Sequence, residues 1–308
     1  MASILNAFLL LRRAQELASH PPNNCTIDTC PVEWSLYGYY PSLPANALFV
    51  ALFAISMLLH IYQGIRWRSW SFMACMVIGT FGELVGYGGR ITLHNNPFDQ
   101  AGLKTQMIAL TITPTFLAAG IYLTLKHTVV VIGPSFSRIE PRYYTWIFIA
   151  CDIISIIIQV IGAGTTAQGD HADVGNGIMI AGLSFQVFTL SIFGIMALEY
   201  AVRFYKFRHR QNATTERFRN SVYFKGSMLA VATSYFTILV RCIYRVVEMA
   251  GGLRNPIMRD QNLFIALDSV MCAIAALILN AFHPGFMFQE SANADKRMLE
   301  SADEGVPM

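Results

Sequence analysis

The chain has 308 residues, of which 54% are hydrophobic and 13% charged, with a net charge of +3 and a mean hydropathy of +0.45. A soluble domain carries about 25% charged residues, so this composition excludes a water-soluble globular protein and a disordered chain. The small net charge gives no support to nucleic-acid binding.

Residues 1–44 form a polar-to-mixed opening segment. Its apolar run Ile4–Leu11 precedes Arg12 and Arg13, the reverse of signal-peptide order, and reads as an interfacial helix or loose tail. Cys25 and Cys30 are candidates for a small disulfide loop in an oxidising compartment. Asn24-Cys25-Thr26 is a glycosylation sequon. Seven apolar stretches follow, at Ala45–Gln63, Trp70–Gly89, Gln106–Leu125, Tyr144–Gly164, Gly177–Val202, Gly226–Met249 and Asn262–Phe282. Each approaches the roughly 20 residues of a transmembrane helix, and none shows the alternation of a barrel strand. The expected fold is all-α: a polytopic domain over 45–288 with seven transmembrane helices. Residues 289–308 are polar and poor in aromatics, as in a disordered cytoplasmic tail. Pro114 is expected to kink the third span, and Gly82, Gly86, Gly88 and Gly89 to pack the second closely against a neighbour. Cys75, Cys151, Cys242 and Cys272 read as small packing residues, and His60 and His283 as capped or snorkelling side chains.

Lysine and arginine set the orientation. With the N-terminus outside, fourteen fall in inner segments and six in outer ones, while Arg241 and Arg245 lie within the sixth span. Seven of the fourteen crowd the third inner loop, Arg203–Lys225. The bias predicts an extracellular N-terminus and a cytoplasmic C-terminus. A second sequon, Asn212-Ala213-Thr214, falls in that loop and is expected to stay unmodified.

Ionisable groups inside a bilayer cost about 2.5–3.5 kcal/mol each on insertion scales and normally face the bundle interior. Glu83, Tyr87 and Arg90 share one helical face, as do Asp152, Ser155 and Gln159, and then Arg241, Tyr244, Arg245 and Glu248. Gln186 and Asp268 add polar groups from the fifth and seventh spans. At about 1.5 Å per residue, Glu83, Gln159, Arg245, Glu248 and Asp268 fall in the outer half, with Asp152, Gln186 and Arg241 nearer the middle. Salt bridges that fix the packing, between helices or within one as for Arg245–Glu248, are one reading. A pocket for the polar head of an amphiphile is the other, and the convergence of so many charges favours it.

Several chemistries lack their motifs. There is no P-loop, no H-E-x-x-H, no zinc spacing, no nucleophile elbow and no lysine in the seventh span for a retinal Schiff base. The receptor signatures Asp-Arg-Tyr and Asn-Pro-x-x-Tyr are replaced by Leu125-Lys126-His127 and Asn280-Ala281-Phe282-His283-Pro284. An enzyme is not expected, nor a cofactor.

The polar residues, with their flanking motifs, also carry a resemblance. Tyr37-Gly38-Tyr39 with Pro41, Ser42 and Asn46; Gly82-Glu83, Gly86-Tyr87 and Arg90; Asp152, Ser155, Gln159, Gly162 and Gly164; Gly182-Leu183 and Gln186; Arg241, Tyr244-Arg245 and Glu248; Asp268; and His283-Pro284-Gly285 occur in order. In these the chain resembles the fungal RTA-like family of lipid-translocating exporters, departing from it at Thr113-Pro114, where Ala-Pro is expected. The resemblance implies a seven-span protein of the plasma membrane or endomembranes. Relatives are linked to export of sphingoid long-chain bases, resistance to toxic amphiphiles and, in one branch, porphyrin movement. The expected ligand is thus a lipid or amphiphile such as a sphingoid base, a sterol-like amine or a porphyrin. A receptor-like lipid sensor signalling through the third inner loop is the alternative.

Overall fold

A bilayer offers no water to backbone amides, so a chain this apolar satisfies them within helices. The computed structural model describes residues 25–132, 141–166, 172–206, 222–252 and 255–285, and among these it contains helices and turns and no strand. Seven helices are long and apolar enough to cross a membrane. They are α1 (Leu43–Arg66), α2 (Trp70–Asn95), α3 (Gln100–Ile132), α4 (Pro141–Thr166), α5 (Ala172–Lys206), α6 (Val222–Ala250) and the composite α7 (Gln261–Ala281). Asn24, the Asn212 sequon, the Ile4–Leu11 run and the tail 289–308 lie outside the described residues.

Every expected span is present, and each helix extends past its apolar run at one end or both. Helix α2 runs on from Gly89 to Asn95, and α3 starts at Gln100 rather than Gln106. Helical hydrogen bonding simply continues through the polar interface beyond the hydrocarbon. One consequence is that Arg90, counted above with the outer charges, is a buried residue of α2.

Sequence neighbours pack side by side, α7 closes on α1, and α3 also touches α6 and α7. Helix α3 is therefore the central one: 67% of its apolar window is buried, against 28% for α1. Large apolar side chains such as Leu58, Trp146, Ile195 and Phe236 are exposed around the periphery, a surface suited to lipid. The close contact of α2 with α3 depends on small residues. A Cβ at Gly89 would meet the Gly102 carbonyl oxygen at 2.8 Å, so the two backbones could not approach as they do with any larger residue.

Helix α7 is not uniform. Asp260 caps its first turn by accepting from the Asn262 and Leu263 amides. A π-helical turn, Ile265–Ser269, then interrupts the α-helix before it resumes over Val270–Ala281. Such a turn adds a residue to the local register, and this one contains Asp268, which is fully buried. The segment before α1 folds onto the same end of the bundle. It carries a Cys25–Cys30 disulfide and a short 3-10 turn at Val32–Trp34. Tyr37 is buried there and accepts a 2.7 Å hydrogen bond from Gln106 Nε2. Burial pushes its phenol up to about 12, with the Arg90 guanidinium opposing the shift, so it stays protonated through the neutral range.

Candidate functional site

Three helices bring charges together in the half of the bundle nearer the start of α1. Helix α6 supplies Arg241 and Arg245 one turn apart, α2 supplies Glu83, and the π turn of α7 supplies Asp268. Asp268 Oδ1 takes Arg245 Nε at 2.7 Å and Arg241 Nε at 3.1 Å. Arg241 Nη2 lies 3.7 Å from Glu83 Oε1, and Arg245 Nη1 donates to Glu248 Oε2 at 2.9 Å. Tyr244 reaches Glu248 Oε1 at 3.5 Å. Glu83, Arg241, Glu248 and Asp268 are each at most 1% exposed. Desolvation of charges on this scale is tolerable only because opposite charges and hydrogen-bond donors surround them.

The balance is incomplete. Two guanidinium groups serve three carboxylates; neither oxygen of Glu83 has a hydrogen-bond partner of normal geometry, the weak Cys272 thiol being the donor beside it, and Asp268 Oδ2 has none. Acceptor sites facing the interior therefore stay open. A buried cluster built only as scaffold would be expected to close them.

Pro114 has a role that kinking alone does not describe. Proline has no N–H, so in a helix the carbonyl four residues earlier loses its usual donor. Here that carbonyl belongs to Leu110, and Arg241 Nη2 donates to it at 2.6 Å. The proline thus frees an acceptor in α3 that anchors the central arginine of α6.

Arg90 links this cluster to the outside. Its guanidinium lies 4.0 Å from the Phe264 ring centroid and 5.3 Å from that of Tyr37, and it donates to Tyr39 Oη at 3.0 Å. Arg245 lies over Phe264 as well, at 5.3 Å, so one aromatic ring separates the two cations. Tyr39 in turn lines a cleft of about 730 Å³ with Tyr40, Pro256, Arg259, Asp260, Gln261 and Asn262. Tyr87 stands between the cluster and the apolar core, its phenol beside Glu83, Asp268 and Ser269. Its ring packs against Phe49 and Phe53, at 5.2 and 5.7 Å, as part of the apolar core.

Asp152, Gln159 and Gln186 are brought to a separate place. Gln159 Nε2 donates to Gln186 Oε1 at 3.0 Å, and Gln186 Nε2 donates to Thr115 Oγ1 at 3.0 Å, an amide chain joining α4, α5 and α3. Asp152 is 1% exposed, and no cation among the described residues lies within ion-pair distance of it. The Tyr122 phenol faces its carboxyl. The expected single polar volume is thus two regions, one ionic and one nearly neutral.

A second cavity, about 760 Å³, opens at the other end and is lined by Arg66, Trp67, Arg68, Ser69, Phe72 and His127 among others. Neither cavity is lined by the intramembrane charges. Beneath the second, His60 and His283 come together, ring centroids 6.3 Å apart, with Trp67 4.9 Å from His283. Their pairing joins α1 to the end of α7. Burial, and His60 beside it, lower the His283 imidazole to about 3. Among the described residues no group of three or more His, Cys, Asp or Glu could hold a metal ion.

Reading residues by helical face missed Leu110, Phe264, Thr115 and Tyr122. Pro114 was the available signal for the first, since a proline inside a long helix marks a donorless carbonyl one turn back. The others carry no charge that would have singled them out.

The family model described as RTA1 like protein matches residues 76–291. Among curated proteins, the "Sphingoid long-chain base transporter RSB1" of Saccharomyces cerevisiae strain S288c is 31% identical over 287 residues, covering 83% of this chain and 75% of that one. The "Probable lipid transporter atnI" of Emericella nidulans is 24% identical over 274 residues, covering 86% and 69%. "Protein RTA1" of Saccharomyces cerevisiae is 25% identical over 276 residues, covering 82% and 85%. No solved structure matches the chain significantly.

Proposed function

The chain belongs to the RTA1-like family of integral, multi-pass membrane proteins, and on that premise we propose that it is a lipid transporter that moves cationic amphiphiles, sphingoid long-chain bases foremost, from one side of the bilayer to the other. The observation that carries this reading is the excess of open acceptors in the charged cluster. A primary ammonium offers three N–H donors and one positive charge. Glu83 is met only by the weak Cys272 thiol donor and by Arg241 at 3.7 Å, and Asp268 Oδ2 has no hydrogen-bond donor.

In this mechanism the head group arrives at the cleft beside Tyr39 and displaces Arg90 and Arg245 from their shared ring, Phe264. It then takes a place against Glu83 and Asp268 while the arginines keep the carboxylates ionised. The apolar chain of the substrate lies between helices, where it costs no desolvation. Because every contact is an exchange of one cation for another, the barrier to moving the head group is reduced without an ATP site. Export with the N-terminal side outside would lower the inner concentration of a toxic amphiphile at the plasma membrane and so confer resistance.

The test is movement of a labelled sphingoid base between leaflets of liposomes that hold the purified protein. Faster movement than in protein-free liposomes is expected, with clear loss of rate in Glu83→Gln and Asp268→Asn. Binding without movement would favour a sensor. Wild-type rates in Glu83→Gln, Glu248→Gln and Asp268→Asn, each correctly folded and inserted, would end the proposal.

A further inference from the structure

Asp152 is the one buried acid outside the ionic cluster among the described residues, and it sits halfway along α4. Neither carboxylate oxygen has a hydrogen-bond partner of normal geometry. Its box is aromatic: Tyr122 faces it from α3, and the Tyr122 ring packs against Phe148 of α4 at 5.9 Å and Phe193 of α5 at 4.3 Å. The titratable groups nearby are Tyr122 itself and, from α6, Cys242 and Tyr235. All of these are neutral side chains in the physiological range. Arg241 also reaches Cys242, but its guanidinium is committed to Asp268, Glu83 and the Leu110 carbonyl.

A bare carboxylate cannot persist in such a place. Without a cation or strong donors, an acid in an apolar membrane interior takes up a proton and becomes neutral. The neighbouring ionic cluster escapes this through its arginines, and Asp152 has none. A buried acid that is neutral when enclosed and ionised when water reaches it is a proton carrier.

We propose that Asp152 is a proton-binding site that couples amphiphile movement to proton movement in the opposite direction. The inference rests on the transporter reading above. A cationic head group that passes the middle of the low-dielectric bundle on its way to or from the ionic cluster favours the ionised form of Asp152, and protonation of Asp152 disfavours the cation by the same factor. Substrate entry therefore releases one proton from the Asp152 carboxyl, and substrate departure restores it. One positive charge enters as one leaves, so the exchange is electroneutral. Because Asp152 is 1% exposed here, proton exchange requires the bundle to open, which ties titration to the transport cycle.

The experiment uses the full chain in liposomes with a labelled sphingoid base, the membrane potential clamped, and protein-free liposomes as the measure of passive amine movement. A gradient of one pH unit is a factor of about ten in proton activity. The protein-dependent initial rate in the wild type should rise towards that factor, with proton flow measured by a trapped dye in the opposite sense. Asp152→Asn should lose the gradient response and Asp152→Glu should recover it. Infrared spectra supply a readout independent of transport: the wild type should show a protonated-carboxyl band that Asp152→Asn lacks and Asp152→Glu displaces. A wild-type rate indifferent to the gradient overturns the coupling and leaves transport standing, as does an unchanged gradient response in Asp152→Asn. No protein-dependent movement under any condition removes the transport reading, and the coupling falls with it.

Discussion

The bundle treats its buried acids in two opposite ways. Towards the end of the bundle where α1 begins, Glu83, Glu248 and Asp268 share Arg241 and Arg245 within a few ångströms. In the middle, Asp152 faces a phenol, and the amides of Gln159 and Gln186 bond to each other and to Thr115. The first region holds charge by matching it, and the second by having almost none. Charge matching suits the recognition of a cationic head group, whereas neutrality suits the binding and release of a proton. Helix α3 touches both, through the Leu110 carbonyl and through Thr115, on either side of Pro114.

The sharpest way to break this contrast is to remove the central arginine. Arg241→Met leaves Glu83 and Asp268 buried with one fewer cation, and a broken buried pair costs about 3–5 kcal/mol. A large fall in melting temperature in detergent is expected. The triple variant Arg241→Met, Glu83→Gln, Asp268→Asn removes the charges together and should recover most of that stability, since uncharged replacements of buried ion networks are often neutral or better. Transport should not recover with it. If it did, the charges would be scaffold alone.

Single acids should then behave differently in the two regions. Asp268→Asn takes the shared carboxylate from two arginines and should destabilise by about 1.5–3 kcal/mol, the worth of hydrogen bonds to charged groups. Asp152→Asn removes an acid that has no cation and should leave the melting temperature level or raise it. Equal losses in both would mean that Asp152 has a partner equivalent to those of Asp268.

The pH dependence of stability must be apportioned before it is read as a property of Asp152. His283, at the far end, is held neutral by burial, with its imidazole lowered to about 3. Its unfolded value is near 6.5. The unfolded chain therefore binds a proton that the folded one refuses, and stability falls as pH drops from about 6.5 towards 3, with a slope of up to about 1.4 kcal/mol per unit. His283→Asn should flatten the melting curve against pH over that window and leave transport coupling at neutral pH in place.

Much of this contrast is legible in the amino-acid sequence. The seven spans follow from apolar length, and the charged members of the ionic cluster follow from helical periodicity, because each charge inside a bilayer is conspicuous. What could not be read was the partition. Asp152 and Gln159 share a face with Ser155 on one helix, but whether that face meets arginines or a tyrosine depends on which helices adjoin α4, and periodicity says nothing of adjacency. Tyr87 shares a face with Glu83 and Arg90, and periodicity could not tell that its ring would stack on Phe49 and Phe53 while its phenol stays beside Glu83 and Asp268. The register shift at Ile265–Ser269 was equally hidden, since no residue type there announces a π turn.

Pro114 tests whether the two regions communicate. Pro114→Ala restores an N–H that competes with Arg241 for the Leu110 carbonyl. The backbone gains one hydrogen bond as the guanidinium loses one, so stability should remain within about 1 kcal/mol of the wild type. Transport should nonetheless fall, because the arginine is released from α3. A normal rate would show that the anchor is dispensable.

The smallest effect is expected from the amide chain. Interhelical polar pairs inside membrane proteins are worth about 0.6 kcal/mol on average in double-mutant cycles. Gln159→Leu and Gln186→Leu should each destabilise slightly, and a cycle of the two should return a coupling of that order. The pair matters more for position than for energy, since Gln159 lies two turns along α4 from Asp152 and Gln186 reaches Thr115 beside Pro114. If the amides hold α4 and α5 against the proline of α3, then the gradient response of transport should weaken in Gln186→Leu by more than the melting temperature falls. If both readouts move together, the chain is packing, and only Asp152 distinguishes the middle of the bundle from an ordinary membrane core.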